Sequence, residues 1–265
     1  MPHIAQTLLL EGQDAVSFAQ CQFSTDVAAL ADGQWQFSAW LNAQGRVRML
    51  CHLVRLQAQQ LFLLLRGGDA NTLSAALQRF VFRARVRITA STTHMLACGS
   101  AHALYGSRRE GDVVVIGCGD HSLIVGQNFS GSDGWCRMQL DQGWAWLPDM
   151  LLEKLLPPAL SLHRLSAVSL DKGCYPGQEV VARMHYRGRH KRHLHRVSMA
   201  QVLESGASLK TADGELVQLL QVMPGAQPAV ALAVLPDTLV SGLSSIHNMF
   251  TVNGVRFCLE ASWGD

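Results

Sequence analysis

The apolar residues of this chain fall in short runs separated by turn residues, and that spacing limits what it can fold into. Runs such as Leu61–Leu65 and Val113–Ile116 have the length of buried strands. None approaches the roughly 18 residues of a membrane helix. Gly33–Leu41 and Arg46–Leu56 flank the hairpin-type turn Asn42-Ala43-Gln44-Gly45. Gln60–Leu65, Ser122–Val125 and Cys136–Leu140 read as further strands, and Arg83–Thr89 alternates basic and apolar residues as a half-exposed strand would. Residues 12–30 read as helical, with Asp14 as N-cap and a second start at Ser24-Thr25-Asp26. Asn71–Val81 places Leu73, Leu77 and Phe80 on one helical face, and Leu151–Leu156 is a short helix stopped by Pro157-Pro158. From about 191 only β-type runs remain, with turns at Ala212-Asp213-Gly214, Pro224-Gly225 and Asn253-Gly254. The reading is α+β with a barrel-like β module at the C-terminal end.

Composition narrows the class. The 265 residues are 48% hydrophobic and 16% charged, which excludes a disordered or collagen-like chain and suits one large domain or two modest ones. Met1–Ala5 has no basic segment, and Glu11 and Asp14 interrupt the apolar stretch behind it, so no signal peptide is expected. Seven cysteines (Cys21, Cys51, Cys98, Cys118, Cys136, Cys174, Cys258) are scattered, odd in number and never spaced C-x-x-C. That weighs against a zinc knuckle, an iron–sulfur ligand run or a disulfide framework, and suits a reducing cytoplasm. A net charge of +2 selects no partner.

One stretch carries chemistry, Asp171-Lys172-Gly173-Cys174-Tyr175-Pro176-Gly177-Gln178-Glu179-Val180-Val181-Ala182-Arg183. Pro176 suits the first position of a helix, with Gln178 and Glu179 in its first turn. Cys174 then stands just before a helix start, with Lys172 two residues back, and both influences favour a thiolate. Gly173 and Gly177 allow a sharp turn and close approach of a ligand. The alternative is a partly buried cysteine at a tight turn. A nucleophilic role needs a paired base, for which His185 is the nearby candidate.

Lys172-Gly173-Cys174-Tyr175-Pro176-Gly177-Gln178-Glu179 resembles the K-G-C-[FY]-x-G-Q-E signature of the YgfZ family, folate-binding proteins related to the glycine cleavage T protein. Val181-Ala182-Arg183 and Gly188 with Lys191-Arg192 continue that pattern. Cys21–Leu30 resembles the family's Q-G-Q-x-T-x-D-V segment through Thr25, Asp26 and Val27. Leu41–Val47 resembles its L-x-x-x-G-R-[IV] turn, and Arg137 the arginine of R-I-x-x-G-x-P. The resemblance implies a tetrahydrofolate-binding α+β region around a central opening (1–190, in two subdomains) and a C-terminal β-barrel (191–265). It implies a cytoplasmic accessory protein for the assembly, maintenance or repair of iron–sulfur enzymes, among them one that modifies tRNA. Carried onto this chain, it makes Cys174 and Lys172 the candidate reactive pair. It makes Asp26, Arg137, Tyr175, Gln178, Glu179 and Arg183 the candidate folate-binding set, with no metal site.

The sequence departs from the pattern in places. True aminomethyltransferases resemble G-G-I-I-D-D at the turn equivalent to Gly45–Leu50, and here Met49 and Leu50 stand where the acidic residues would be. Neither can accept a proton, which weighs against the alternative of a folate-dependent aminomethyl or one-carbon transferase. Gln20-Cys21-Gln22 lacks the family's glycine, and Trp144-Ala145-Trp146 replaces a proline. A third reading is a scaffold whose signature loop docks a client without any folate.

Between Arg183 and Arg196 lie Arg187, Arg189, Lys191, Arg192 and four histidines, His185, His190, His193 and His195, with no acid between them. The run reads either as an anion site, for a folate glutamate tail or RNA phosphates, or as a solvated edge. Beyond Tyr186 it lacks the aromatic interleaving of an RNA surface, so nucleic acid is not expected as a direct partner of this protein. The histidines lack a local cysteine or carboxylate to complete a metal set. Trp144 and Trp146 share a strand face, leaving a stacking role for one of them open beside a core role.

Overall fold

The computed structural model describes residues 3–188, 190–223, 228–243 and 248–264. The turn expected at Pro224-Gly225, and Arg189 of the basic run, lie outside them. The first sheet contains β1 (His3–Glu11), β2 (Gln34–Leu41), β3 (Val47–Gln57), β4 (Gln60–Leu65), β5 (Arg87–Gly99), β6 (Ser107–Glu110), β7 (Val113–Gly117) and β8 (Ser122–Gly126). Its order is β2-β3-β4-β1-β5-β8-β7-β6 and every pairing is antiparallel. Helices α1 (Ala15–Gln22) and α2 (Ala70–Gln78) branch from it, and α3 (Trp135–Asp141) and α4 (Gln178–Arg187) follow. The second sheet contains β9 (Arg192–Met199), β10 (Ser208–Lys210), β11 (Leu216–Met223), β12 (Ala229–Pro236), β13 (Met249–Val252) and β14 (Val255–Ser262), with the short α5 (Asp237–Ser241) after β12. Its order is β10-β11-β12-β9-β14-β13, the expected β module. Among the described residues no helix is long and apolar enough to cross a membrane.

The period-two alternation of the strands sorts residues into layers. Along β4, Leu61, Leu63 and Leu65 enter the core beneath α1 and α2, while Phe62 and Leu64 enter the core on the sheet's other face. Along β12, Val230, Leu232 and Val234 join that same second core, and Ala229, Ala231, Ala233 and Leu235 fill a third core inside the curl of the second sheet. Strands buried on both faces lose polar alternation, which is why these segments read as continuous apolar runs.

Four expected elements differ. The helix expected over 12–30 stops at Gln22, and Phe23 is extended (φ −100°, ψ 158°). The Ser24 hydroxyl bonds to the Ala167 carbonyl at 2.6 Å and Thr25 Oγ1 meets Ser38 Oγ at 2.6 Å, so hydroxyls that could cap a helix serve tertiary contacts instead. Cys136–Leu140 is not a strand but part of α3. Trp135, Gln139 and Leu140 are buried while Arg137 and Met138 are exposed, which is a helical spacing. Leu151–Leu156 is not a helix beyond a 3₁₀ turn at Asp149–Leu151. Glu153 N–H donates to Val47 O and Val47 N–H to Leu155 O, docking the segment on β3. The strand expected at Arg83 begins at Arg87 and runs on to Gly99.

Arg66, at the end of β4, is fully buried. Its Nε donates to Ala145 O at 2.9 Å, Nη1 to Gln139 Oε1 at 2.7 Å, and Nη2 to Trp144 O. The guanidinium also lies 4.7 Å from the Trp146 ring centre. Burial lowers its pKa to about 9, which still leaves it charged at neutral pH. Trp144 is therefore buried at this core junction, and the half-buried Trp146 packs against it. Arg66→Met should lower unfolding stability by about 3–5 kcal/mol in urea titration, because buried carbonyls lose a charged donor. A loss under about 1 kcal/mol would show that the junction does not depend on the guanidinium.

Candidate functional site

The two stretches richest in chemistry, 149 residues apart, meet at one ammonium group. Lys172 Nζ donates to Phe23 O at 2.7 Å and to Thr25 O at 2.6 Å. It also lies 5.3 Å from the Tyr175 ring centre, and the side chain is only 9% exposed. Those carbonyls are available because the chain leaves α1 extended at Phe23. Ser169 N–H donates to Ser24 O at 2.8 Å and continues the same seam. Burial pulls the Lys172 ammonium down to about 8, with Asp26 and Cys21 acting in the opposite sense.

Two glycines set the other side of the loop. Gly177 (φ +78°) packs against the β2–β3 turn so closely that a Cβ there would lie 2.4 Å from Asn42 O and 2.8 Å from Gly45 Cα. That turn is itself fixed by Asn42 Oδ1, which accepts from the N–H groups of Gln44 and Arg46 at 3.0 Å each. α4 starts at Gln178, so Pro176 lies outside it and left-handed Gly177 occupies the cap. Tyr175 is buried and donates to Ser169 O at 3.0 Å, and burial raises its hydroxyl to about 12. Between these anchors Cys174 is exposed.

A cleft of about 770 Å³ opens beside the seam. Asp26, Asp171, Gln34 and Gln36 supply its polar groups, and Tyr105, His185 and Tyr186 supply rings. Asp26 Oδ1 accepts from Gln20 Nε2 at 3.0 Å and Ala29 N–H at 3.3 Å. Gln36 Nε2 donates to Asp26 O at 3.2 Å, bracing the wall. A second cavity of about 420 Å³, more apolar, shares Ser166, Val168, Leu170 and His185 with the first.

The remaining candidate residues lie apart. Gln178 packs under the loop with Nε2 at 3.4 Å from Lys172 O. Glu179 and Arg183 pair with each other at 3.1 Å on the outer face of α4. Arg137 pairs with Asp141 at 2.9 Å on α3 and is not among the cleft-lining residues. The basic run divides. Arg192 donates to Gln218 Oε1, Arg196 pairs with Asp141 and Glu260, His193 meets Asp237 and His195 meets Ser262, all within or against the second sheet. His185 and Tyr186 reach the cleft. Among the described residues no group of three or more His, Cys, Asp or Glu side chains is arranged to hold a metal. Met49 and Leu50 are buried in different cores on opposite faces of β3.

Sequence reasoning missed Gln34, Gln36 and Asp171. The signal was present: two glutamines at i and i+2 in the otherwise apolar Gln34-Trp35-Gln36-Phe37 place both amides on one sheet face.

Two tests follow from this geometry. Gly177→Ala should cost about 1–3 kcal/mol or more through a disfavoured φ and a backbone clash, whereas Gly173→Ala, with nothing within 4 Å of a Cβ, should be near neutral. Equal effects in urea titration would contradict the packing. Lys172→Met should cost about 1–3 kcal/mol at pH 7.5. In the wild type, between about 8 and 10.5, the unfolded chain holds the Lys172 proton that the folded chain has lost, so this group makes stability rise with pH. Lys172→Met should lack that rise when unfolding is compared at pH 7.5 and 9.5.

No family model matches the chain. It is 26% identical over 214 residues to an uncharacterized protein of Haemophilus influenzae, covering 77% of this chain and 75% of that one. It is 25% identical over 220 residues to the tRNA-modifying protein YgfZ of Edwardsiella ictaluri, covering 70% of this chain and 66% of that one. Its fold matches the crystal structure of glycine cleavage system aminomethyltransferase T from Bartonella henselae with a TM-score of 0.73 at 16% identity, over 97% of this chain and 83% of that one. Along most of its length, and most specifically at the signature 172–179, the chain is similar to the YgfZ proteins, and it has the fold of the glycine cleavage aminomethyltransferase.

Proposed function

We propose that this chain is a tetrahydrofolate-binding accessory protein that supports the assembly, maintenance or repair of iron–sulfur enzymes in the cytoplasm. The observation that carries the reading is the cleft beside the anchored cysteine loop. Its volume lies within the range of small-ligand sites. A pterin presents a row of N–H donors and acceptors on a flat ring, and the cleft offers the Asp26 and Asp171 carboxylates, the Gln34 and Gln36 amides and nearby rings. Asp26 Oδ1 is taken by its neighbours, which leaves Oδ2 to receive a ligand N–H. Folate, when bound, supplies one-carbon and reducing chemistry. The chain's own residues orient it and keep Cys174 outside, facing a client enzyme. Lys172 acts here as a positioning residue that holds the loop, and Arg137, Glu179 and Arg183 would meet ligand or client only at the periphery.

Aminomethyl transfer is not supported. The sheet positions that would carry acids hold Met49 and Leu50, both packed in apolar cores.

Calorimetric titration of the reduced protein with tetrahydrofolate tests the binding half. Wild type and Cys174→Ala should bind alike, and Asp26→Asn should bind about 10–100-fold more weakly, the worth of a hydrogen bond to a charged group. No binding by the wild type would remove folate from the account. In cells lacking the native copy, Cys174→Ala should accumulate normally yet fail to restore activity of iron–sulfur enzymes. Full restoration would remove the thiol from it.

A further inference from the structure

Between α2 and β5 the chain runs Arg79-Phe80-Val81-Phe82-Arg83-Ala84-Arg85-Val86-Arg87. Val81, Ala84 and Val86 turn inward against the core beneath the helices. Phe80 and Phe82 turn outward, 49% and 87% exposed, and Phe82 is the most exposed large apolar side chain among the described residues. Arg79, Arg83, Arg85 and Arg87 are exposed around them. Arg87 meets Glu11 at 2.8 Å and Arg85 meets Asp14 at 3.6 Å. Among the described residues no carboxylate lies at ion-pair distance from Arg79 or Arg83, and the Arg83 guanidinium lies 5.8 Å from the Phe82 ring centre.

Contacts through the buried Trp40 and Phe23 link the patch to the cysteine loop. The Phe80 ring stands edge-on to Trp40 at 6.2 Å, and Arg48 lies 4.3 Å from the Trp40 ring centre. Trp40 bridges to Phe23, the residue whose carbonyl holds Lys172.

We infer that this surface binds single-stranded RNA, with bases stacked on Phe80 and Phe82 and phosphates held by Arg79 and Arg83. Open ring faces alternating with unmatched guanidinium groups fit a strand that presents flat bases and phosphates by turns. A duplex buries its base faces, so rings of this kind select unpaired segments. An apolar protein partner would leave the guanidinium groups unmatched, and an acidic one would not call for exposed ring faces. The inference uses no residue of the cleft and stands apart from the folate reading.

The test is fluorescence anisotropy with the full chain, free of folate, and a labelled mixed-sequence RNA of about twelve nucleotides. Phe80→Ala/Phe82→Ala should weaken binding about 10–100-fold. Arg79→Gln/Arg83→Gln should flatten the dependence of log K on log salt by about 1.4. A duplex of equal length should bind more weakly and ignore the phenylalanine changes. Because all four side chains are exposed, both variants should keep the wild-type circular dichroism spectrum, and the arginine variant gives an independent reading if the other misfolds. No binding of single strands by the wild type, or equal binding by both variants, overturns the inference. So would loss of binding to phosphatidylglycerol vesicles in these variants with RNA binding intact, which would assign the patch to a membrane surface.

Discussion

Lys172 joins two parts of the chain that no sheet pairing connects. Its ammonium lies between the carbonyls of Phe23 and Thr25 and faces the Tyr175 ring, and it is almost wholly removed from water. Burying an ammonium is unfavourable unless its protons find acceptors, so the loop and the 23–26 segment must stay in register for either to be stable. The consequences run outward from there. Asp26 and Asp171 are both brought to the lining of the cleft, and Cys174 is left on an anchored but exposed loop. Gly177 completes the arrangement by letting the loop backbone touch the β2–β3 turn.

That geometry changes the meaning of the signature. On sequence alone Lys172 reads as electrostatic support for the neighbouring thiol. In the fold its ammonium serves two backbone carbonyls, and the lysine defines where the cysteine stands. β3 is equally instructive. Met49 and Leu50 face opposite cores, so this strand is built for packing on both faces. The scaffold is shared with an aminomethyltransferase, and fold alone does not assign the activity.

Strands buried on one or both faces were legible because burial of a pleated strand imprints period-two alternation or a continuous apolar run directly on the residues. Gln60–Leu65 is the clearest case. What was not legible depended on partners distant in sequence. Ser24 and Thr25 look like helix caps until Ala167 and Ser38 claim their hydroxyls, and Cys136–Leu140 looks like a strand until Trp135, Gln139 and Leu140 are seen to share a buried helical face. The signature loop could be found in the sequence, and so could Asp26. Their meeting through Lys172 could not, because nothing local records which carbonyls a lysine will find. Arg66 was overlooked for the same reason: an arginine ending an apolar run reads as a surface stop, whereas here it gathers three segments inside the core.

The most direct test of the tether is amide hydrogen exchange on the reduced protein and on Lys172→Met under native conditions. If one ammonium holds both segments, residues 23–26 and 171–178 should lose protection together in the variant while β3, β4 and β12 keep theirs. Unchanged protection in both segments, or loss in only one of them, would contradict the account.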